Sequence, residues 1–328
     1  PPGYYATLHV WTLLADNSEY SLALLSALLG VLLVALTYRL ARRLANATTA
    51  RVAAWLSALS AYSIWYSQEV RMYTLGACLA CLLVMATADA LQHPQNVKKA
   101  LLWGLLAALG MYVLYYFAFL LAFLSLFWLI HGLGKKEEGH LFKRLRFWLL
   151  GHAALILLYL PWLPIALRQA IEPPVPPWRS PETLPLMLQQ GALALFAGEA
   201  FPQCLWPLAG AVILIAATAP LLSTKNRVNA CLLAGAFFVP WLMIVLTSLA
   251  TPLFHPRYLF PYSPTFCIAL ASTSNRRRGN KGTWLTVLLL LTYMTCNTWA
   301  QWRTWTDPRY RPDGLRSAVQ HLQEEWCP

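Results

Sequence analysis

Charge is what this sequence has least of. Only 12% of its 328 residues are Asp, Glu, Lys or Arg and 58% are hydrophobic, against about 25% and about 45–50% in an ordinary soluble domain. That shortage excludes a water-soluble globule, because one core of this size cannot hide so much apolar surface. The excess must face lipid, so the chain reads as an all-α, polytopic transmembrane bundle. Other absences narrow its function. Seven cysteines lie mostly inside apolar runs (Cys78, Cys81, Cys231, Cys267, Cys296) and form neither a disulfide framework nor a zinc spacing. There is no Walker loop, no dinucleotide-binding glycine pattern and no His-Glu-x-x-His, so a nucleotide-driven machine is not indicated. No repeat of fixed period supports an inverted-repeat transporter. The sequence opens at Pro1 without Met or signal peptide and stops at Pro328 in a polar stretch, and a fragment of a longer protein is expected.

A bilayer core asks for about 20 apolar residues per helix. Apolar runs between charge clusters give ten candidate spans, at 20–40, 51–67, 71–91, 100–113, 115–131, 147–165, 204–222, 228–250, 259–273 and 283–300. The uninterrupted stretch 100–133 is divided at Met111–Tyr116, where aromatic residues suggest an interface. Three domains follow: an outer juxtamembrane lead-in at 1–18, a transmembrane bundle at 19–300 with an outer loop at 168–203, and an extracytoplasmic region starting at 301–328. Within the proline-rich loop, 184–200 is apolar enough for an interfacial or re-entrant helix.

The net charge of +12 could point to nucleic acid, but alternating ten spans sorts it by side. Seventeen of the 25 Lys and Arg fall in the loops around Arg39–Arg51, Lys98–Lys99, Lys135–Arg146, Lys225–Arg227 and Arg276–Lys281, whereas ten of the 13 acids fall on the other side. One face carries about +14 and the other about −2. Basic loops mark the cytoplasm, so the basicity is a topology signal, and nucleic acid drops out as a partner.

The less basic side is also where chemistry-bearing residues gather, and ionisable groups at span ends are costly enough to be functional hypotheses. In Ser67-Gln68-Glu69-Val70-Arg71-Met72-Tyr73, Glu69 could be a metal ligand, a general base or an acceptor for a sugar hydroxyl, and Arg71 could clamp a phosphate. The plainer alternative is a solvated hairpin within an aromatic belt. In Phe254-His255-Pro256-Arg257-Tyr258-Leu259-Phe260-Pro261-Tyr262, Arg257 enters an apolar helix where the dipole and free N–H groups favour an anion. The alternative there is an arginine snorkelling to headgroups. The lead-in Pro1-Pro2-Gly3-Tyr4-Tyr5, with His9 and Trp11 following, could lie in the interface.

Together these runs, with Pro161-Trp162-Leu163-Pro164, resemble the ordered landmarks of dolichyl-phosphate-mannose protein mannosyltransferase-like proteins, glycosyltransferase family 39 within the GT-C fold. Ser-Gln-Glu-x-Arg-Met-Tyr is the most specific of them. The resemblance implies an inverting membrane glycosyltransferase that uses a polyprenyl-phosphate sugar on the extracytoplasmic face of the cell membrane, with hexosyl or mannosyl transfer expected. It implies a main catalytic carboxylate in an outer loop ahead of Pro1, a catalytic or divalent-metal-binding Glu69, and donor phosphate at Arg257, Arg71 and Tyr258. Tyr4, Tyr5, Tyr73 and His255 are then expected to contact acceptor or sugar. A divalent metal is the one cofactor implied, and the partners are the lipid donor, a glycan, lipid or protein acceptor, and membrane lipids. The alternatives are a lipid-linked sugar flippase or a non-catalytic subunit of the same fold. A flippase would place charges at the bilayer midplane along a pathway, and here they sit at span ends.

Overall fold

The computed structural model describes residues 1–133, 141–172, 181–275 and 280–310. Among them there is no strand. The chain runs through α1 (Gly3–Leu14), α2 (Glu19–Leu44), α3 (Ala47–Leu59), α4 (Ala61–Gln68), α5 (Tyr73–Gln92), α6 (Val97–Val113) and α7 (Phe117–Leu133). It continues through α8 (Leu141–Tyr159), α9 (Leu163–Ile171), α10 (Leu184–Ala197), α11 (Trp206–Ser223), α12 (Arg227–Ser248), α13 (Ser263–Ala271) and α14 (Asn280–Thr306). A 3-10 helix, Pro256–Tyr262, leads into α13. The chain is thus a polytopic helical bundle. Among the described residues, α2, α5, α12 and the run Gln203–Ser223 are each long and apolar enough to cross a membrane alone.

Most expected spans coincide with one helix, and the division at Met111–Tyr116 falls between α6 and α7. Three do not. The run 51–67 is two helices, because Ser60 leaves the helical region at ψ 120° and its side chain caps α4 by accepting from the Ser63 N–H. The run 147–165 breaks around Pro161, so that α9 turns by 79° from α8. The run 259–273 is half 3-10 helix, with Pro256 and Pro261 both inside the irregular part. The lead-in at 1–18 contains α1, and 184–200 contains α10. Lys135, Lys136, Glu137, Glu138, Arg276, Arg277 and Arg278, the proline run 173–177 and everything from residue 311 onward lie outside the described residues.

Close approach and polar contacts hold the helices together, as expected where lipid removes the hydrophobic drive between them. A Cβ on Gly104 of α6 would lie 2.4 Å from the Gly151 carbonyl of α8, so only glycine fits there. Between α7 and α8, His152 engages the Trp148 carbonyl through Nδ1 (2.8 Å) and Ser125 Oγ through Nε2 (2.7 Å). The Trp148 indole donates to the Ser125 carbonyl at 3.1 Å. At the end where α2 and α5 finish, Asp89 pairs with Arg43 and lies 3.9 Å from Lys99. Asn229 at the start of α12 donates to the Leu44 carbonyl there. Three helices beginning at this end, α3, α6 and α12, are capped by the side chains of Asn46, Asn96 and Asn226.

Candidate functional site

The other end of the bundle is built around the hairpin of α4 and α5. The break at Ser60 frees the Ala61 N–H, which donates to Asn297 Oδ1 of α14 at 2.8 Å. The Asn297 amide in turn donates to the Phe196 carbonyl of α10 and the Tyr293 carbonyl of α14, both at 2.9 Å. Asn297 is fully buried, and this one side chain joins three helices. With α4 so placed, Tyr62 and Tyr66 point inward against Phe260, with ring centroids 5.2 and 4.9 Å from it. The hairpin is tied by Thr74 Oγ1, which donates to the Tyr66 carbonyl at 2.8 Å.

Glu69 ends α4 half-buried, accepting from the Trp65 indole N–H at 2.9 Å. Burial raises its pKa above the usual carboxylate range, opposed by the Trp65 hydrogen bond and by the charges of Arg71 and Arg257, and reinforced by Glu199. Arg257 is half-buried at the start of the 3-10 helix. Burial works against its charge, but Tyr73, Tyr258 and Tyr66 outweigh it and hold the guanidinium above its ordinary range. His255 Nδ1 accepts the Arg257 backbone N–H at 3.2 Å, and Arg257 Nη2 lies 2.9 Å from His255 Nε2. A neutral imidazole carries one proton and cannot accept at both nitrogens, so the ring that caps the backbone leaves the guanidinium incompletely satisfied. Arg257 Nε is indeed buried without a hydrogen-bond partner. Tyr258 stacks on Tyr116 at 3.7 Å, and Tyr116 and Tyr262 anchor the two segments through the Leu253 and Tyr116 carbonyls. The structure therefore brings together Glu69, Arg71, Tyr73, His255, Arg257 and Tyr258.

It does not bring Tyr4 or Tyr5 to them. Tyr4 is 1% exposed with its hydroxyl 3.4 Å from Ser26 Oγ, because α1 turns that face onto α2, and Tyr5 is 64% exposed. His255 stands among them and also caps the 3-10 helix through Nδ1. Sequence reasoning missed Glu199. It follows Gly198, whose φ of 81° and 3.3 Å approach to the Tyr62 N–H exclude a side chain, and it accepts from the Tyr66 hydroxyl at 2.8 Å. The rule that flagged Glu69, an acid at the end of an apolar helix, would have found it. Beside it lies a cavity of about 40 Å³, walled by Tyr62, Trp65, Tyr66, Glu199, Thr304 and Tyr310 with small residues between. Glu199 is a second carboxylate near Glu69, but among the described residues no three His, Cys, Asp or Glu come together. The residues present do not by themselves fit a divalent ion.

The family model for dolichyl-phosphate-mannose-protein mannosyltransferase matches residues 1–165, half of the chain. No curated protein matches. Among solved structures, ArnT from Cupriavidus metallidurans in the apo state superposes with a TM-score of 0.58 at 18% identity, covering 88% of this chain and 51% of that one. The archaeal oligosaccharyltransferase AglB from Archaeoglobus fulgidus, in complex with an inhibitory peptide and a dolichol-phosphate, gives 0.54 at 14% identity, covering 100% and 50%. The Archaeoglobus fulgidus oligosaccharyltransferase tethered to an acceptor peptide gives 0.53 at 13% identity, covering 98% and 50%. The chain spans about half the length of each. At these identities the likeness is one of fold, the GT-C membrane bundle.

Proposed function

Since the chain belongs to the dolichyl-phosphate-mannose-protein mannosyltransferase family, we propose that it moves a sugar, a hexose such as mannose, from a polyprenyl-phosphate donor to an acceptor hydroxyl, with inversion, on the extracytoplasmic face of the cell membrane. The observation that carries this reading is the pairing of a half-buried carboxylate, Glu69, with a half-buried guanidinium whose Nε has no partner, Arg257, at one end of an apolar bundle. The basic loops at the other end support the assignment of the face.

In this reaction the acceptor oxygen attacks the anomeric carbon as the bond to the phosphate oxygen breaks. Glu69 orients the acceptor hydroxyl and takes its proton, a task that a carboxylate performs better when burial raises its pKa toward neutrality. Arg257 receives the negative charge growing on the leaving phosphate, and its open Nε and the adjacent Tyr73 and Tyr258 prepare a place for that anion. Arg71 adds a second positive charge near Glu69. Because attack and departure take opposite faces of one carbon, a single displacement inverts it. The lipid tail would lie along the apolar helix surfaces. No step requires a metal.

The test is transfer in vitro from a panel of radiolabelled polyprenyl-phosphate sugars by the full-length protein. One donor should be consumed by the wild type and by none of the Glu69→Gln preparations. Undiminished transfer by that variant would remove Glu69 from the reaction.

A further inference from the structure

The cavity beside Glu199 lies across the Tyr66 ring from Tyr73 and Arg257, and nothing in the mechanism above uses it. Its chemistry is one-sided. Four aromatic rings, Tyr62, Trp65, Tyr66 and Tyr310, and one carboxylate form the wall, and no basic side chain does. Two neighbouring cations are engaged elsewhere: Asp307 accepts from Arg303 at 3.3 Å and from Arg309 Nη2 at 2.6 Å. Among the described residues no ion pair reaches Glu199. Its one described hydrogen bond, from Tyr66, leaves the second carboxylate oxygen open. At about 40 Å³ the space suits a compact group of a few atoms. A carboxylate amid π-systems favours a compact cation, and a primary ammonium also brings N–H donors for Glu199 Oε2 and Thr304.

We propose that this cavity is a subsite for a primary ammonium group of the acceptor, with Glu199 as its counter-ion. The assignment to the acceptor rests on the reading above, in which the Arg257 side holds the donor phosphate. The consequence is selectivity: an acceptor bearing a free amine is drawn in, and its N-acetylated counterpart, larger and uncharged, is rejected.

The experiment reads binding first, so that it stands apart from catalysis. The purified full-length protein in detergent is titrated with methylammonium chloride, with sodium chloride, methanol and magnesium, manganese or zinc chloride in parallel, and the unfolding midpoint is followed. Methylammonium should raise the midpoint where sodium and methanol do not, and Glu199→Gln should weaken that effect about tenfold, the size expected for one charge-assisted hydrogen bond. Tyr310→Ala, which opens the wall without touching a carboxylate, should weaken it too. An equal response to methanol, an unchanged response in Glu199→Gln, or a shift with divalent metals alone would each overturn the proposal, the last in favour of a metal site. A second arm compares transfer to amine-bearing and N-acetylated acceptors, and equal use of both would overturn the acceptor assignment. Failure of methylammonium to bind leaves the transfer reading intact, and transfer by Glu69→Gln leaves the amine subsite intact.

Discussion

The two ends of this bundle treat polar residues in opposite ways. Where α2 and α5 finish, charges satisfy one another: Asp89 lies between Arg43 and Lys99, and asparagine side chains close the helices that begin there. At the Glu69 end, α5 and α11 begin at Met72 and Leu205 with no side-chain cap, whereas Ser18 caps α2 and His255 caps the 3-10 helix that runs into α13. Arg257 keeps an open N–H there, and Glu69 and Glu199 are held by an indole and a phenol. A buried guanidinium with an open N–H favours an anion from outside the chain. At the first end charge is met by charge. At the other, two carboxylates are met by neutral donors and a guanidinium nitrogen is left open to a ligand.

Substitutions can break this contrast. The largest effect is expected from Glu69→Gln and Arg257→Ala, each lowering transfer at least about 100-fold while the unfolding midpoint stays near that of the wild type. A large fall in the midpoint with either would make these residues structural and erase the difference between the ends. Next comes Asn297→Ala. It strands the Ala61 N–H and the Phe196 carbonyl in the interior, and a loss of about 2–6 kcal/mol in unfolding free energy is expected, at about 1–3 kcal/mol per orphaned group. A neutral result would show that water replaces the side chain.

Trp65→Phe sharpens the comparison through pH. Burial raises the Glu69 pKa and the Trp65 hydrogen bond holds that rise back, so removing the donor raises it further. Transfer that needs ionised Glu69 is lost as pH falls through that value, and the acid limb of the rate profile should move to higher pH in the variant. An acid limb that stays put would mean another group sets it. The smallest effect belongs to Arg43→Met. It should leave transfer unchanged and cost about 1 kcal/mol or less, because its ion pair is about one-third exposed.

Much of this was legible in the sequence, and its limits are physical. The helices and their order follow from apolar run length, and the turn between α6 and α7 announces itself by its tyrosines. Glu69 and Arg257 stand out because each is an ion at the edge of an apolar run. The break at Ser60 is hidden, since serine within an apolar run is compatible with an unbroken helix, and what stabilises the break is an asparagine far along the chain. The burial of Tyr4 is hidden for a similar reason: which face of a short aromatic helix is buried depends on the phase at which it meets α2. Glu199 escaped because its importance comes from Tyr66, a hydrogen bond across 133 positions.

The joint at Asn297 also sets a schedule. Its partner at Ala61 is 236 positions away, and a membrane chain is delivered from its N-terminus onward. The hairpin bearing Glu69 is therefore made early, yet the backbone opened at Ser60 waits until α14 arrives to close it. Until then Tyr62, Tyr66 and Glu199 lack the wall that Thr304 and Tyr310 provide. The pocket is thus among the last parts of the described fold to be completed, and a nascent chain that ends before α14 would carry Glu69 and Arg257 without the keystone that sets them.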